Sequence, residues 1–265
     1  MPARNRLDAE LVRRKIARSR EHARELIAAG RIHLRGIRAT KAATGVTGDD
    51  SIRLVGEVDD YVSRGAHKLI GALDAFGVDP AGMRCLDAGA STGGFTDVLL
   101  RRGAAEVLAV DVGYGQLAWR LQTDERVTVH DRTNVRHLTP ERLGGPVALT
   151  VGDLSFISLE LVLPALAACT RPDGTMLPMV KPQFEVGKGQ VGSGGVVTDP
   201  ARRADAVLKV IEAARLLGWG TTGVVPSPLP GPKGNVEFFC RMRRGADTLA
   251  PEAVFEAVAS EREGG

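Results

Sequence analysis

Apolar positions along this chain keep two spacings in turn. Near the amino end, Leu7, Leu11, Val12 and Ile16 recur at helical intervals over residues 7–16. A second helical stretch follows, with Ser19 placed to cap it and Gly30 to end it. Its inner face is Ala23, Leu26 and Ile27; its outer face is Arg20 and Arg24, with Arg31 beyond. Residues 31–34, an Arg35-Gly36 turn and residues 51–55 then read as paired strands. Ser63 is placed to cap a helix that runs to about Phe76.

From Arg84 the spacing changes. Apolar runs at 83–87, 106–111, 127–131, 146–152, 174–180, about 219–225 and 235–243 alternate with helical patterns, notably 94–102, 158–169 and 200–217. The last of these helices opens with Asp199-Pro200, a capping residue followed by proline at the first helical position. Such alternation predicts an α/β fold: a mostly parallel, Rossmann-like sheet covered on both faces, with the run 235–243 antiparallel to the rest. Residues 250–260 read as a terminal amphipathic helix, and the Gly-rich stretch 187–197 as a mobile loop at the ligand-binding edge. The whole pattern divides into a small α+β unit over 1–57, a linker over 58–63 that overlaps the acidic stretch 56–62, and an α/β domain over 64–265.

Charge sharpens that division. Residues 1–55 carry 13 Lys+Arg against 6 Asp+Glu, whereas the remainder carries 22 against 26. A basic piece on a mildly acidic body points to a polyanionic partner, RNA above all. The candidates for phosphate contact are Arg4, Arg6, Arg14, Lys15, Arg18, Arg20, Arg24 and Arg31. A hydrophobic share of 43% supports a sizeable core and argues against disorder. Cys85, Cys169 and Cys240 are odd in number and lie in apolar runs, which predicts buried free thiols in a reducing compartment. No metal-ligand spacing links them to the histidines, so no metal is expected. The first residues lack the apolar stretch of a signal peptide, and no segment approaches the roughly 18 apolar residues that span a bilayer. The expectation is a soluble, cytoplasmic protein with no membrane partner.

The run Asp87-Ala-Gly-Ala-Ser-Thr-Gly-Gly94 ends the first strand of the alternating region and opens a helix. Glycines there let backbone approach a ligand at the carboxyl edge of the sheet. A dinucleotide loop would need G-x-G-x-x-G, and the spacing of Gly89, Ser91, Gly93 and Gly94 misses it. Asp87 stands where an anion would repel a pyrophosphate and suit a cationic ligand, which favours S-adenosylmethionine with its amine and sulfonium. Asp111, at the end of the next strand, is placed to accept hydrogen bonds from a ribose. Asp131 and Asn134, after the third strand, are candidates for the adenine end.

Four charged residues stand at neighbouring places in this pattern. Asp153 and Lys181 directly follow apolar strands, Glu237 sits at the start of the antiparallel run, and Lys68 lies on the helix after Ser63. A bare charge flanking an apolar strand needs a partner. A ribose hydroxyl becomes a useful nucleophile only when its proton is removed, and a lysine kept neutral can remove it. The expected roles are Lys181 as general base, Lys68 as a second cation favouring a neutral Lys181, and Asp153 and Glu237 as orienting carboxylates. Exocyclic-amine methylation would want Asn/Asp-Pro-Pro-aromatic where the chain has Asp153-Leu-Ser-Phe156, and cytosine C5 methylation a strand-end cysteine.

Two stretches of the chain resemble known domains. Arg13-Arg14-Lys15, Ser19-Arg20 and Ala28-Ala-Gly-Arg-Ile-His33 resemble the S4 RNA-binding domain. Ser63-Arg-Gly-Ala-His-Lys-Leu69, Asp87 through Phe95, Asp111-Val-Gly-Tyr-Gly-Gln-Leu117, Asp153-Leu-Ser-Phe-Ile-Ser158, Lys181-Pro-Gln-Phe-Glu185 and Gly234-Asn-Val-Glu-Phe238 resemble the hemolysin A-like (TlyA) rRNA 2′-O-methyltransferases, which join an S4 domain to an FtsJ-like methyltransferase domain. The resemblance implies a Lys-Asp-Lys-Glu tetrad at Lys68, Asp153, Lys181 and Glu237. It implies S-adenosylmethionine held by the loop of Asp87, Gly89, Ser91, Gly93, Gly94 and Phe95, and cytidine 2′-hydroxyls of 16S and/or 23S ribosomal RNA or ribosomal subunits as substrate. Two other functions are weighed. A non-catalytic RNA-binding or ribosome-assembly factor would need only the basic unit, and a membrane-lytic protein would need a strongly basic amphipathic helix that the chain lacks.

Overall fold

The computed structural model describes residues 4–55, 61–187, 189, 191, 192 and 194–260. The chain divides into two compact units, residues 1–60 and 61–265. Residues 56–60, which hold the first half of the expected linker, lie outside the described residues, as do Lys188, Gln190 and Ser193 of the Gly-rich stretch.

In the first unit, β1 (Asn5–Arg6) leads into α1 (Leu7–Arg13) and α2 (Arg20–Ala28). The short strands β2 (Ile32–Leu34), β3 (Ile37–Arg38), β4 (Gly45–Val46) and β5 (Ile52–Leu54) follow. β2 pairs antiparallel with β3 and β5, and β1 with β4. Strands β1, β3 and β4 are two residues each, too short to leave a periodic signal in the sequence. Helix α1 stops short of Ile16 because Lys15 takes a left-handed turn (φ 58°), which brings the amides of Ile16 and Ala17 onto the carbonyl of Leu11. Ser19 caps α2 as expected, its side chain accepting from the His22 amide at 3.1 Å. Leu7, Leu11, Ala23, Leu26, Ile27 and Ile32 close the core.

Two carboxylates on α1 are also buried, and nothing in the charge count announced them. Arg6 and Arg20 donate to Asp8, with Arg24 at 3.6 Å; Arg13 and Arg14 donate to Glu10. The arginines themselves screen these acids from water. Hydrogen bonding from Arg6, helped by Arg20, holds the Asp8 carboxyl well below the usual carboxylate range, and Arg13 with Arg14 does the same for Glu10. Arg14 further donates to the carbonyls of Thr47, Gly48 and Asp50, so it staples the unit together. Arg4, Lys15 and Arg18 are exposed.

The second unit begins with α3 (Gly65–Phe76) and β6 (Arg84–Ala88). Next come α4 (Gly94–Arg101), β7 (Glu106–Val110), α5 (Trp119–Gln122) and β8 (Val127–His130). They are followed by β9 (Val147–Gly152), α6 (Leu163–Cys169), β10 (Thr170–Val180) and α7 (Pro182–Glu185). The unit ends with α8 (Pro200–Leu216), β11 (Trp219–Pro226), β12 (Phe238–Arg244) and α9 (Pro251–Ala259). The strands form one sheet in the order β11-β12-β10-β9-β6-β7-β8, with β12 antiparallel to both its neighbours. Alternate residues face opposite layers. Leu86, Ala88, Leu108 and Val110 join the core that includes residues of α6, α8 and α9, while Cys85, Val107 and Ala109 join the core with α3 and α4. The three cysteines are free and buried.

Three sequence expectations change here. Ser63 does not cap α3; Arg64 holds that place, its side chain making no capping hydrogen bond, and the Ser63 hydroxyl lies beside Gly94. The helix expected over 158–169 is a 3₁₀ turn (Leu159–Leu161) and then α6, because Pro164 lacks the amide a continuous helix would need and instead starts a new one. β10 begins at Thr170, earlier than the apolar run, through an irregular pairing between Thr170 and Thr175. Among the described residues no helix is long and apolar enough to cross a membrane.

Replacing Asp8 by Asn is expected to lower the melting temperature of the full chain's first transition at about pH 7. The difference from the native chain should close as pH falls below about 4, since a carboxyl whose pKa drops on folding stabilises above its unfolded pKa and loses that contribution in acid. Calorimetry across that range checks it.

Candidate active site

Four strands end side by side in this sheet. Ala88 of β6 stands level with Gly152 of β9, Gly152 with Pro178 of β10, and Val180 of β10 with Phe238 of β12. The residue just past each apolar strand therefore emerges at one edge: Gly89, Asp153 and Lys181. Because β12 runs the other way, the residue just before it, Glu237, emerges there too. The Asp153 amide bonds to the Ala88 carbonyl at 3.0 Å, which ties the β9 exit to the loop after β6.

The four charges form two ion pairs. Lys181 Nζ lies 2.5 Å from Asp153 Oδ1 and donates to Ser155 Oγ at 2.8 Å. Lys68, on α3, reaches across to Glu237 Oε2 at 2.5 Å. Lys181 is 5% exposed and Glu237 fully buried, so each needs a counter-charge to remain ionised. Lys68 is thus not a bare second cation; with Glu237 beside it, Lys181 faces a dipole. Gly231 makes room for this arrangement, since a Cβ there would lie 2.2 Å from Glu237 Oε1. Lys68, Asp153, Gly94 and Phe95 line one cavity of about 890 Å³, closed on one side by Leu229, Pro230 and Gly231.

A second cavity of about 410 Å³ adjoins it through Gly89, Ser91 and Asp153, which line both. Asp111, Gln116, Asn134 and Ile157 complete much of its wall. Gly89 has φ +87°, and a Cβ would meet the Asp153 carbonyl at 2.8 Å, so the close crossing of these loops requires glycine. Asp111 accepts from the amides of Ser91 (2.8 Å) and Gly113 (2.7 Å), and so shapes both loops. Asn134 lines the cavity while its side chain caps a short 3₁₀ turn, accepting from the Arg136 amide.

Asp87 and Asp131 are set further back. Asp131 accepts from the Gly115 amide at 2.8 Å and supports the turn that carries Gln116. Asp87 is fully buried on the α3/α4 face, with Oδ2 taking the Thr96 hydroxyl at 2.7 Å. Burial pushes its carboxyl up to about 7, against the lowering effect of Thr96, and the negative Asp153 adds to the rise. Asp87 Oδ1 has no hydrogen-bond partner among the described residues. An orphaned acid oxygen behind a glycine loop fits a ligand that brings a positive charge. Gly93 holds the amino end of α4 just behind that loop.

Three contributors escaped sequence reasoning. Ser155 holds Lys181, although it sits inside the quoted Asp153-Leu-Ser-Phe156 run. Glu185, buried with its carboxyl raised mainly by desolvation, fixes Ser158 Oγ (2.6 Å) and the Leu159 amide (2.8 Å). Buried Asn235 accepts from the Val197 amide and donates to the carbonyls of Gly195 and Pro232, tying the described end of the Gly-rich stretch to the approach of Glu237. The signal for Glu185 and Asn235 was their place in the runs containing Lys181 and Glu237.

The model of the FtsJ-like methyltransferase family matches residues 61–244, and that of the S4 domain residues 5–52. The chain is 58% identical over 260 residues to the 16S/23S rRNA (cytidine-2′-O)-methyltransferase TlyA of Mycobacterium tuberculosis, covering 97% of each. It is 42% identical to YqxC of Bacillus subtilis, described as a candidate rRNA methyltransferase, over 89% of this chain and 85% of that one. A solved structure of a candidate hemolysin from Streptococcus thermophilus superposes with a TM-score of 0.77 at 36% identity, covering 100% of this chain and 97% of the other.

Asp87→Asn gives a pH-dependent test of the site. Between about pH 4 and about pH 7 the folded chain keeps an Asp87 proton that the unfolded chain has released, so Asp87 costs more stability as pH rises through that window. The melting temperature of the Asn variant, relative to the native chain, should climb over the same window and level off above it; thermal unfolding of both without ligand measures this.

Proposed function

Because the chain belongs to the FtsJ-like methyltransferase family, in its S4-bearing TlyA branch, we propose that it methylates the ribose 2′-hydroxyl of cytidine in 16S and/or 23S ribosomal RNA. The observation that supports this best is the pairing of Lys181 with Asp153 and Lys68 with Glu237 at adjacent strand ends, with Lys68 and Asp153 lining a cavity shared with the glycine loop. S-adenosylmethionine, when bound, supplies a methyl group on a sulfonium that is already a strong electrophile. The residues present fit it: Gly89 and Ser91 give close backbone, Asp111 offers a carboxylate suited to ribose hydroxyls, and Asp87, buried behind the loop with an unpartnered oxygen, favours a cationic end by its charge. Gly93, Gly94 and Phe95 keep the loop and helix start in place, and Asp131 and Asn134 shape the far wall.

What remains for the protein is to position the acceptor and remove one proton. Lys181, as the neutral amine, takes the 2′-hydroxyl proton while the oxygen lone pair is directed at the methyl carbon. Asp153 then stands beside the ammonium that forms. Lys68, fixed by Glu237, steadies the opposite wall and the developing charge on the acceptor. The burial of Lys181 and Glu237 makes their interactions stronger than they would be in water. The basic unit supplies RNA affinity through Arg4, Arg6, Lys15, Arg18, Arg20, Arg24 and Arg31, with Asp8 holding three of these guanidiniums in a fan. Arg14 serves structure first.

Lys181→Ala is expected to cut methyl transfer to purified ribosomal subunits by about a hundredfold or more, while calorimetry shows S-adenosylmethionine bound as in the native chain. The native product should carry riboses that resist alkaline cleavage. Transfer by the variant at the native rate would overturn the base assignment, and failure of the native chain to bind the donor would return the protein to the class of RNA-binding assembly factors.

A further inference from the structure

Lys181 carries out its proposed task only if its lone pair faces the acceptor. A neutral lysine amine has two N–H bonds and one lone pair, arranged tetrahedrally with the carbon stem. A flexible four-carbon stem by itself leaves that lone pair free to turn. In this structure Lys181 Nζ donates to Ser155 Oγ at 2.8 Å, while Asp153 Oδ1 stands 2.5 Å away as an ion-pair partner without hydrogen-bond geometry. The hydrogen bond to Ser155 is therefore the directional contact that restricts how the amine can turn.

We propose that Ser155 is a positioning residue that, with Asp153, fixes the orientation of the Lys181 amine so that its lone pair meets the ribose 2′-hydroxyl. The inference rests on the reading of Lys181 as base. In the step it serves, the O2′–H bond breaks, the proton moves to Lys181 Nζ, and the oxygen pair forms the bond to the methyl carbon. The ammonium so formed keeps its hydrogen bond to Ser155 and stands beside the Asp153 carboxylate as its counter-charge.

The surroundings suit this role. Ser155 follows Asp153 by two residues on the loop leaving β9, so one short segment supplies both contacts. The adjoining Phe156, largely exposed, takes a left-handed backbone (φ 64°), unusual for a bulky residue, and its ring lies 5.2 Å from that of Phe184, three residues beyond Lys181. The loop that carries Ser155 thus touches the segment that carries Lys181. Ser155 also lines the cavity shared with Gly89 and Asp111, so its hydroxyl lies at the site and not in the core.

The test compares Ser155→Ala with Ser155→Thr, which keeps the hydroxyl. For Ser155→Ala, kcat should fall about tenfold to a hundredfold, the scale on which misdirected reacting groups act. The KM for ribosomal subunits, the Kd for S-adenosylmethionine by calorimetry and the melting temperature should stay at native values. Ser155→Thr should recover most of the rate. Native kcat in the alanine variant, equal losses in both variants, or a loss tracking cofactor affinity or melting temperature would each overturn the proposal. Lys181→Ala, assayed alongside, separates the two claims. If it is inactive while Ser155→Ala is native, only the role of Ser155 falls; if it is itself active, the reading of the base falls.

Discussion

Two lysines, Lys181 buried and Lys68 half-buried, are each held by one carboxylate at 2.5 Å, and one partner of each pair, Lys181 and Glu237, is buried. Desolvation of such pairs consumes most of their mutual attraction, so a buried salt bridge is weak evidence for stability and apolar replacements are often tolerated as well or better. Their presence is more economically explained by chemistry than by folding. The sheet order then acquires a purpose. Only with β6, β9, β10 and β12 adjacent do Gly89, Asp153, Lys181 and Glu237 reach one edge, and only with β12 reversed does a residue before a strand join residues after strands. Gly231 and Gly89 answer the same demand locally, each leaving out a side chain that would strike Glu237 or the Asp153 carbonyl.

Acids are used in opposite ways in the two units. Asp8 and Glu10 are surrounded by guanidiniums and stay charged, which orders a basic surface without adding to its net charge. Asp87 has Thr96 and no cation beside it, and burial shifts it toward the neutral form. A cationic ligand would restore its charge, so donor binding and Asp87 ionisation are linked: each favours the other. Cofactor affinity on this account draws on a charge that the empty site disfavours.

Much of this was legible in the chain itself. The strands announced themselves because both faces of a parallel sheet are buried and read as continuous apolar runs, and Asp153 and Lys181 stood out as the first charges after them. Glu237 followed from the antiparallel last strand. Other features depend on where side chains point. The Ser155–Lys181 bond spans 26 positions, and no spacing rule encodes it. Ser63 has the chemistry of a cap yet sits against Gly94, because the packing of α3 on α4 outweighs local preference. Asp8 and Glu10 look like ordinary first-turn acids until the arginines of two helices close over them. Composition located the basic unit, but it did not reveal that Arg14 is committed to the carbonyls of Thr47, Gly48 and Asp50.

The most direct measurement is a structure of the chain with S-adenosylhomocysteine and an RNA that carries the target cytidine. The account predicts the ribose O2′ at about 2.6–3.2 Å from Lys181 Nζ, facing the sulfur across the junction of the two cavities. An O2′ held by Lys68 in place of Lys181, or lying out of reach of both lysines, would contradict it.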